Sequence, residues 1–315
     1  MQNIAFRHEV LQHLTALRAR WPNGGLYLLY VPGEADPLHL LAGHPRVQAI
    51  AGNKFGHEQD DAFLPHVIAL DCRKVAAYLL ETDPALDDPL LEASITLAAK
   101  TIEGSEQGYA VCGWIASQDG AATIARRLTQ AAQQFDPEAR QLVRLRWHDP
   151  RVVSHLWPQV PFDQRMALLG PQSAWVTVDA MERVTVFDSE AVETGVPPTA
   201  GAQTRSAQWE RVRHVGMVNR LLDLWRDRSW ISGQPLPEDA VDILHVHAAQ
   251  ASRYGLDGHD AQTYVLLAIG LRPGFENDAD WRFAVQAACE APGTFEDHVA
   301  AIPELFWQRY ASSRI

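Results

Sequence analysis

A chain of 315 residues, 47 % hydrophobic and 21 % charged, has material for one large or two ordinary domains around a substantial core. Its formal net charge of −12 argues against a nucleic-acid backbone or an anionic membrane surface as the main partner. Cys72, Cys112 and Cys289 are odd in number and far apart, which excludes a disulfide framework and a zinc pattern and fits a reducing compartment. The first twenty residues lack the apolar stretch of a leader and no run reaches a membrane-spanning length, so a soluble cytoplasmic protein is expected.

In chain order, Val10, Leu14, Leu17 and Trp21 recur at helical spacing until Pro22-Asn23-Gly24-Gly25 stops the helix. Leu26 to Val31 is an apolar run of strand length. Residues 33 to 65 are rich in Gly, Pro and His and predict only short elements. His66 to Asp71 reads as a second buried strand, with a helix after it through Leu80. Leu91, Ile95, Ala98 and Ile102 line a further helix that ends at Gly104; Tyr109 to Ala116 is a strand; Ile124, Leu128, Ala131 and Phe135 mark the next helix. Leu142 to Trp147 reads as a strand and Val152 to Trp157 as a short helical run. Ala174 to Asp179 and Val184 to Asp188 alternate as the arms of a hairpin. Strands and helices in turn, closed by a hairpin, predict an α/β lobe with a mixed sheet over residues 1–188.

Residues 189–207, with Glu190, Glu193, Pro197-Pro198 and Gly201, have linker composition. From 208 to 315 the pattern is helical only. Val215, Val218, Leu222 and Trp225 share one face, as do Val241, Leu244, Ala248 and Ala251. Tyr264, Leu267, Ala268 and Leu271 follow, then Trp281, Ala284, Val285 and Ala288, and a last helix restarts at Pro303 with Phe306 and Tyr310 inward. An all-helical second lobe of about five helices is expected.

Between the last strand of this series and its helix lies Arg146-Trp147-His148-Asp149-Pro150-Arg151. Asp149 suits an N-cap, Pro150 the first helical position, and the flanking arginines suit bidentate pairing with the carboxylate. Elsewhere chemistry is thin. His245 and His247 stand two apart on a helix, about 200° around the axis, and cannot both ligate one metal from it. His259 could add a ligand, yet Asp260 is explained as an acid at a helix N-terminus. His57, Glu58, Asp60, Asp61 and His66 lack metalloprotease spacing and read as solvated loop charge. Ser117 sits where a nucleophile elbow would, but Ile115 and Asp119 are too large for that turn; it reads instead as the N-cap of a helix through Gln134. Neither phosphate-binding glycine motif is present, and no cofactor is expected. The ten tryptophans read mostly as core, with some available as anchors for a partner.

The string Arg146-Trp147-His148-Asp149-Pro150-Arg151-Val152 resembles the hallmark of the type VI secretion effector adaptors, also called effector chaperones. Four further landmarks follow the order of that family. Tyr27-Leu28-Leu29-Tyr30 is similar to its opening strand and Pro65-His66-Val67-Ile68-Ala69-Leu70 to a second strand; Gly113-Trp114-Ile115-Ala116-Ser117 is similar to a strand ending in serine, and Leu169-Gly170-Pro171 to the turn before its hairpin. The likeness spans residues 25 to 180. His148 stands where the family has an aromatic residue, and Ala125-Arg126-Arg127-Leu128 where it tends to His-Leu-Arg. The resemblance implies a cytoplasmic adaptor without enzymatic activity. Such a protein binds a cognate secreted effector and helps load it onto the valine–glycine-repeat spike protein (VgrG), itself staying behind. Arg146, Trp147, His148, Asp149, Arg151 and Trp157 are the candidate partner-binding residues, with no catalytic or metal-binding residue assigned. The rival readings are a metal-dependent hydrolase using His245 or His247 with His259 and Asp260, and an immunity protein that neutralises a toxin.

Overall fold

The structure is a computed structural model describing residues 2–30, 47–50, 77–81, 89–102, 110–136, 140–190 and 202–311. The chain divides into two compact units, Met1–Thr204 and Arg205–Ile315.

The first unit is built on a six-stranded sheet in the order β2-β3-β1-β4-β7-β8. Its strands are β1 (Gly25–Tyr30), β2 (Val47–Ile50), β3 (Ala77–Glu81), β4 (Val111–Ser117), β7 (Ser173–Val178) and β8 (Val184–Asp188). The central strands β1, β4 and β7 are buried along almost their whole length, which is why they read as unbroken apolar runs. Helices cover both faces. On one, Val10, Leu14, Leu17 and Trp21 of α1 (Gln2–Arg20) and Leu91, Ile95 and Ala98 of α2 (Pro89–Ile102) pack on Leu26, Leu28, Tyr30, Trp114, Ala116, Ala174 and Val176. These alternate positions share a face because side chains switch sides at each residue of a strand. Within this packing Trp114 Nε1 donates to Ser94 Oγ at 2.9 Å, and Ser94 Oγ to the Leu91 carbonyl at 2.7 Å. The other face is covered from α3 (Ala121–Ala132), α4 (Pro150–Leu156) and α5 (Phe162–Leu169), with Trp157 against Phe187 and Phe187 against Trp175 at ring separations of 5.1 and 6.1 Å.

The α/β unit followed by helices is as the sequence predicts, but among the described residues the sheet is not mixed. Every described strand pair is antiparallel. Burial on both faces commonly accompanies parallel strands, because crossover helices provide it; here helices cover an antiparallel sheet, and the apolar runs look the same. The expected hairpin is present as β7–β8, with Ala174 opposite Asp188 and Val178 opposite Val184. The expected helix through Leu80 is instead strand β3 at Ala77–Glu81, while the strand expected at His66 to Asp71 lies outside the described residues. The helix expected through Phe135 ends at Ala132, where the chain turns into a separate ribbon of β5 (Gln133–Asp136) and β6 (Gln141–Arg144).

The second unit contains α6 (Ala202–Ser232), α7 (Ala240–Tyr254), α8 (Gly258–Ala268), α9 (Ala279–Glu290), α10 (Phe295–Ala300) and α11 (Glu304–Tyr310). The short α10 is the helix the periodicity did not separate. Trp281 is fully buried at the centre, with Phe275, Tyr264, Phe295 and Phe306 all within 5.8 Å between ring centroids. Asp278 caps α9 by accepting from the Asp280 N–H at 3.1 Å, and Gly255 closes α7 in the left-handed region at φ 84°. Of the expected linker 189–207, residues 191–201 lie outside the described residues, and α6 already begins at Ala202. Among the described residues no helix is long and apolar enough to cross a membrane.

Candidate functional site

The corner after β6 is fixed by its own sequence. Val143, Leu145 and Trp147 alternate inward, and the Leu145 N–H donates to the Ala132 carbonyl at 2.7 Å. Trp147 is buried, its Nε1 donating at 2.9 Å to the carbonyl of Ala131 near the end of α3. Asp149 then sits at the N-cap with extended backbone (φ −80°, ψ 116°), its Oδ1 accepting from the Arg151 N–H at 3.0 Å, and Pro150 takes the first helical position. The Asp149 carbonyl accepts from the N–H groups of Val152 and Val153 at 2.9 and 3.0 Å, starting α4.

The two arginines bracket the carboxylate, but neither forms the bidentate fork that the sequence suggests. Arg146 approaches Oδ2 at 3.5 Å and Arg151 Nε approaches Oδ1 at 3.4 Å. The reason is geometric: Oδ1 is already engaged by the backbone of the helix it caps, so the two oxygens are divided between the flanking cations. The arginine side chains keep 32 % and 30 % of their surface, whereas the Asp149 side chain keeps 11 %. His148 is half-buried; burial lowers its pKa to about 4, opposed by the Asp149 carboxylate and reinforced by the Arg146 charge. It is therefore a neutral imidazole near pH 7. Behind the corner lies the Cys112 thiol, pushed well above its ordinary value first by burial and then by the Asp149 carboxylate, against the two arginines.

Trp157 is buried at the end of α4, in a single 3₁₀ turn (Trp157–Gln159). The Arg165 guanidinium lies 5.3 Å over its ring and donates to the carbonyls of Val160 at 2.8 Å and Trp157 at 3.2 Å. The six candidate residues thus separate by depth. Trp147, Trp157 and Asp149 form the support; Arg146, His148 and Arg151 carry the accessible surface. Arg165 escaped the sequence reading, since nothing in Phe162-Asp163-Gln164-Arg165 distinguishes a buried cation from a solvated one.

A second convergence was also illegible. The end of β4 and the Gly170-Pro171 turn, two of the resemblance landmarks, meet in space. Ser117 Oγ and Ser173 Oγ are 2.5 Å apart, and Ser117 Oγ accepts from the Asp119 N–H at 3.0 Å. Arg127 pairs with Asp119 and lies so close to Gly170 that a Cβ there would collide with its guanidinium. Gly170 has φ 88°, so the absent side chain serves both backbone and neighbour. Ser117 is not the cap of α3, which begins at Ala121; it is a buried tie between β4 and β7.

The histidines of the helical unit do not converge. His245 is buried, His247 faces Phe275 at 6.4 Å, and His259 lies exposed with Nε2 3.5 Å from Glu296. Both oxygens of Asp260 are engaged, accepting from the N–H groups of Gly293 at 2.6 Å and Phe295 at 3.2 Å at the start of α10. Among the described residues no three His, Cys, Asp or Glu side chains come together as a metal site. His57, Glu58, Asp60, Asp61 and His66 lie outside the described residues.

Residues 53–167, a little over a third of the chain, match the model of a family described as "Domain of unknown function (DUF4123)". The match takes in the whole corner and falls within the span of the resemblance. Neither the curated proteins nor the solved structures contain a match to the chain.

Proposed function

We propose that this chain is a non-enzymatic adaptor of type VI secretion, which binds a cognate effector in the cytoplasm and helps load it onto the valine–glycine-repeat spike protein. The observation that carries the reading is the family match over residues 53–167, because it includes the Arg-Trp-His-Asp-Pro-Arg string by which the chain resembles those adaptors. The geometry is compatible with contact chemistry. A helix cap whose backbone is fixed by short-range hydrogen bonds presents two partly accessible arginine side chains and a neutral imidazole. Such a surface suits carboxylates and backbone carbonyls of a partner, through charge-assisted hydrogen bonds that need little ordering on the adaptor side. A partner must also be handed on, and partly exposed ion pairs contribute modestly to affinity, which leaves the complex open to competition by the spike.

The test is co-expression of the full chain with effectors encoded beside it, and with the spike protein. The reading expects one effector to become soluble and to co-purify at fixed stoichiometry. A complete survey of effectors and spikes without a complex would refute it, as would turnover of any compound by the pure protein that a single side-chain replacement abolishes.

A further inference from the structure

The ribbon that leads into the corner carries an apolar pair on the wrong side for a core. In β6 the inward phase is Val143, continued by Leu145 and Trp147; Leu142 is out of phase and 70 % exposed. Its direct cross-strand partner is Phe135, 55 % exposed. The two therefore form an outward apolar pair on a ribbon of two four-residue strands. Among the described residues neither strand has a further strand neighbour. A two-stranded ribbon is marginal alone, and an open edge is a template for another strand. Natural edges are usually blunted by proline or by charge on the open face; here the centre of that face is the Phe135–Leu142 pair instead. Arginines stand near both ends of β6: Arg140, exposed just before it, and Arg146, two residues beyond it. From Arg140 to Arg146 an extended chain covers about 20 Å.

We propose that the β5–β6 ribbon is a docking edge for an extended segment of the partner, which adds as a third strand. The segment is about five to seven residues long, apolar at alternate central positions over Phe135 and Leu142, and carries carboxylates at its ends for Arg140 and Arg146. Main-chain hydrogen bonds supply the pairing, the apolar pair supplies burial, and the two cations select acidic ends in a chain whose overall charge would repel them. This deepens the adaptor reading by naming the chemistry of the bound segment, and rests on that reading only for the identity of the partner.

The probe is a fluorescein-labelled peptide, acetyl-Glu-Thr-Val-Thr-Val-Thr-Glu-amide, titrated into the full chain, beside its counterpart with lysine at both ends. The expected result is saturable binding of the acidic peptide and about tenfold weaker binding of the lysine peptide. Leu142→Ser and Phe135→Ser should each weaken the acidic peptide about tenfold, with an unchanged melting temperature because both side chains face outward. N-methylation of the peptide's central amides should abolish binding. No saturable binding, equal binding of the two peptides, or indifference to both serine variants overturns the proposal. So does a concentration-dependent dimer in sedimentation that Leu142→Ser dissolves, since a second copy then occupies the edge. The outcomes separate from the adaptor reading: an effector that co-purifies equally with wild type and Leu142→Ser removes the ribbon and leaves the adaptor, whereas acidic-peptide binding without any effector complex leaves the ribbon and removes the adaptor.

Discussion

The two units of the chain hold themselves together in different ways. In the helical unit the centre is aromatic: Trp281 is fully buried and stacks parallel to Phe306 at 5.8 Å, with three further rings around it. In the α/β unit the centre is a sheet buried on both faces, and its periphery carries buried polar ties, such as Ser117–Ser173, Arg165 on two carbonyls and the capped corner at Asp149. Ring packing is tolerant of detail and large in magnitude. Polar ties contribute less each but fix backbone positions, and a fixed backbone is what a recognition surface requires. The contrast predicts that damage in the helical unit is read as stability, and damage at the corner as recognition.

Trp281→Ala is the largest test of this contrast. Removing the central ring leaves a cavity lined by four aromatics and should cost about 3–5 kcal/mol in a denaturant titration; a loss below about 1 kcal/mol would mean the cluster collapses to fill the gap. Gly113→Val comes next. Gly113 has φ 126°, and a Cβ there would collide with the Val176 carbonyl oxygen and with Trp175 Nε1, so the strand must shift. A loss of about 2–4 kcal/mol is expected by the same titration. Asp149→Ala removes a cap and leaves two arginines facing each other, for about 1–2 kcal/mol. If effector binding vanished while the melting temperature held, Asp149 itself would belong to the contact surface.

The last test is in pH. The folded chain lowers the His148 pKa from 6.5 to about 4, so on acidification the unfolded chain takes up the proton first. Stability from this group is intact above pH 6.5 and falls between pH 6.5 and 4. His148→Phe should abolish that part of the acid sensitivity, so that the variant loses less stability than wild type between pH 7 and pH 4 in denaturant titrations. Equal slopes for the two proteins would show that His148 is protonated in the fold.

The helical unit was the more legible in the sequence. Val215, Val218, Leu222 and Trp225, then Trp281, Ala284, Val285 and Ala288, are all buried as their spacing predicts, because one period sets one face. In the α/β unit the corner was legible for a local reason: Asp149 and Pro150 carry their own capping rule, whatever surrounds them. What failed there depended on distant partners. Strand direction was hidden by burial on both faces. The end of α3 was hidden because Phe135 fits the helical period, yet pairs with Leu142 in a ribbon. Arg127 and Arg165 look like any surface arginine until the turn at Gly170 and the carbonyls of Trp157 and Val160 are folded against them. Trp147 and Trp157 are buried, so the accessible part of the corner is cationic more than aromatic.

The measurement that bears most directly on the account is effector co-purification by wild type and by the double variant Arg146→Gln/Arg151→Gln, with melting temperatures recorded for both. A stoichiometric complex with wild type, and its loss in a double variant that melts within a few degrees of wild type, is the predicted result. Undiminished capture by the double variant would contradict the assignment of recognition to this corner.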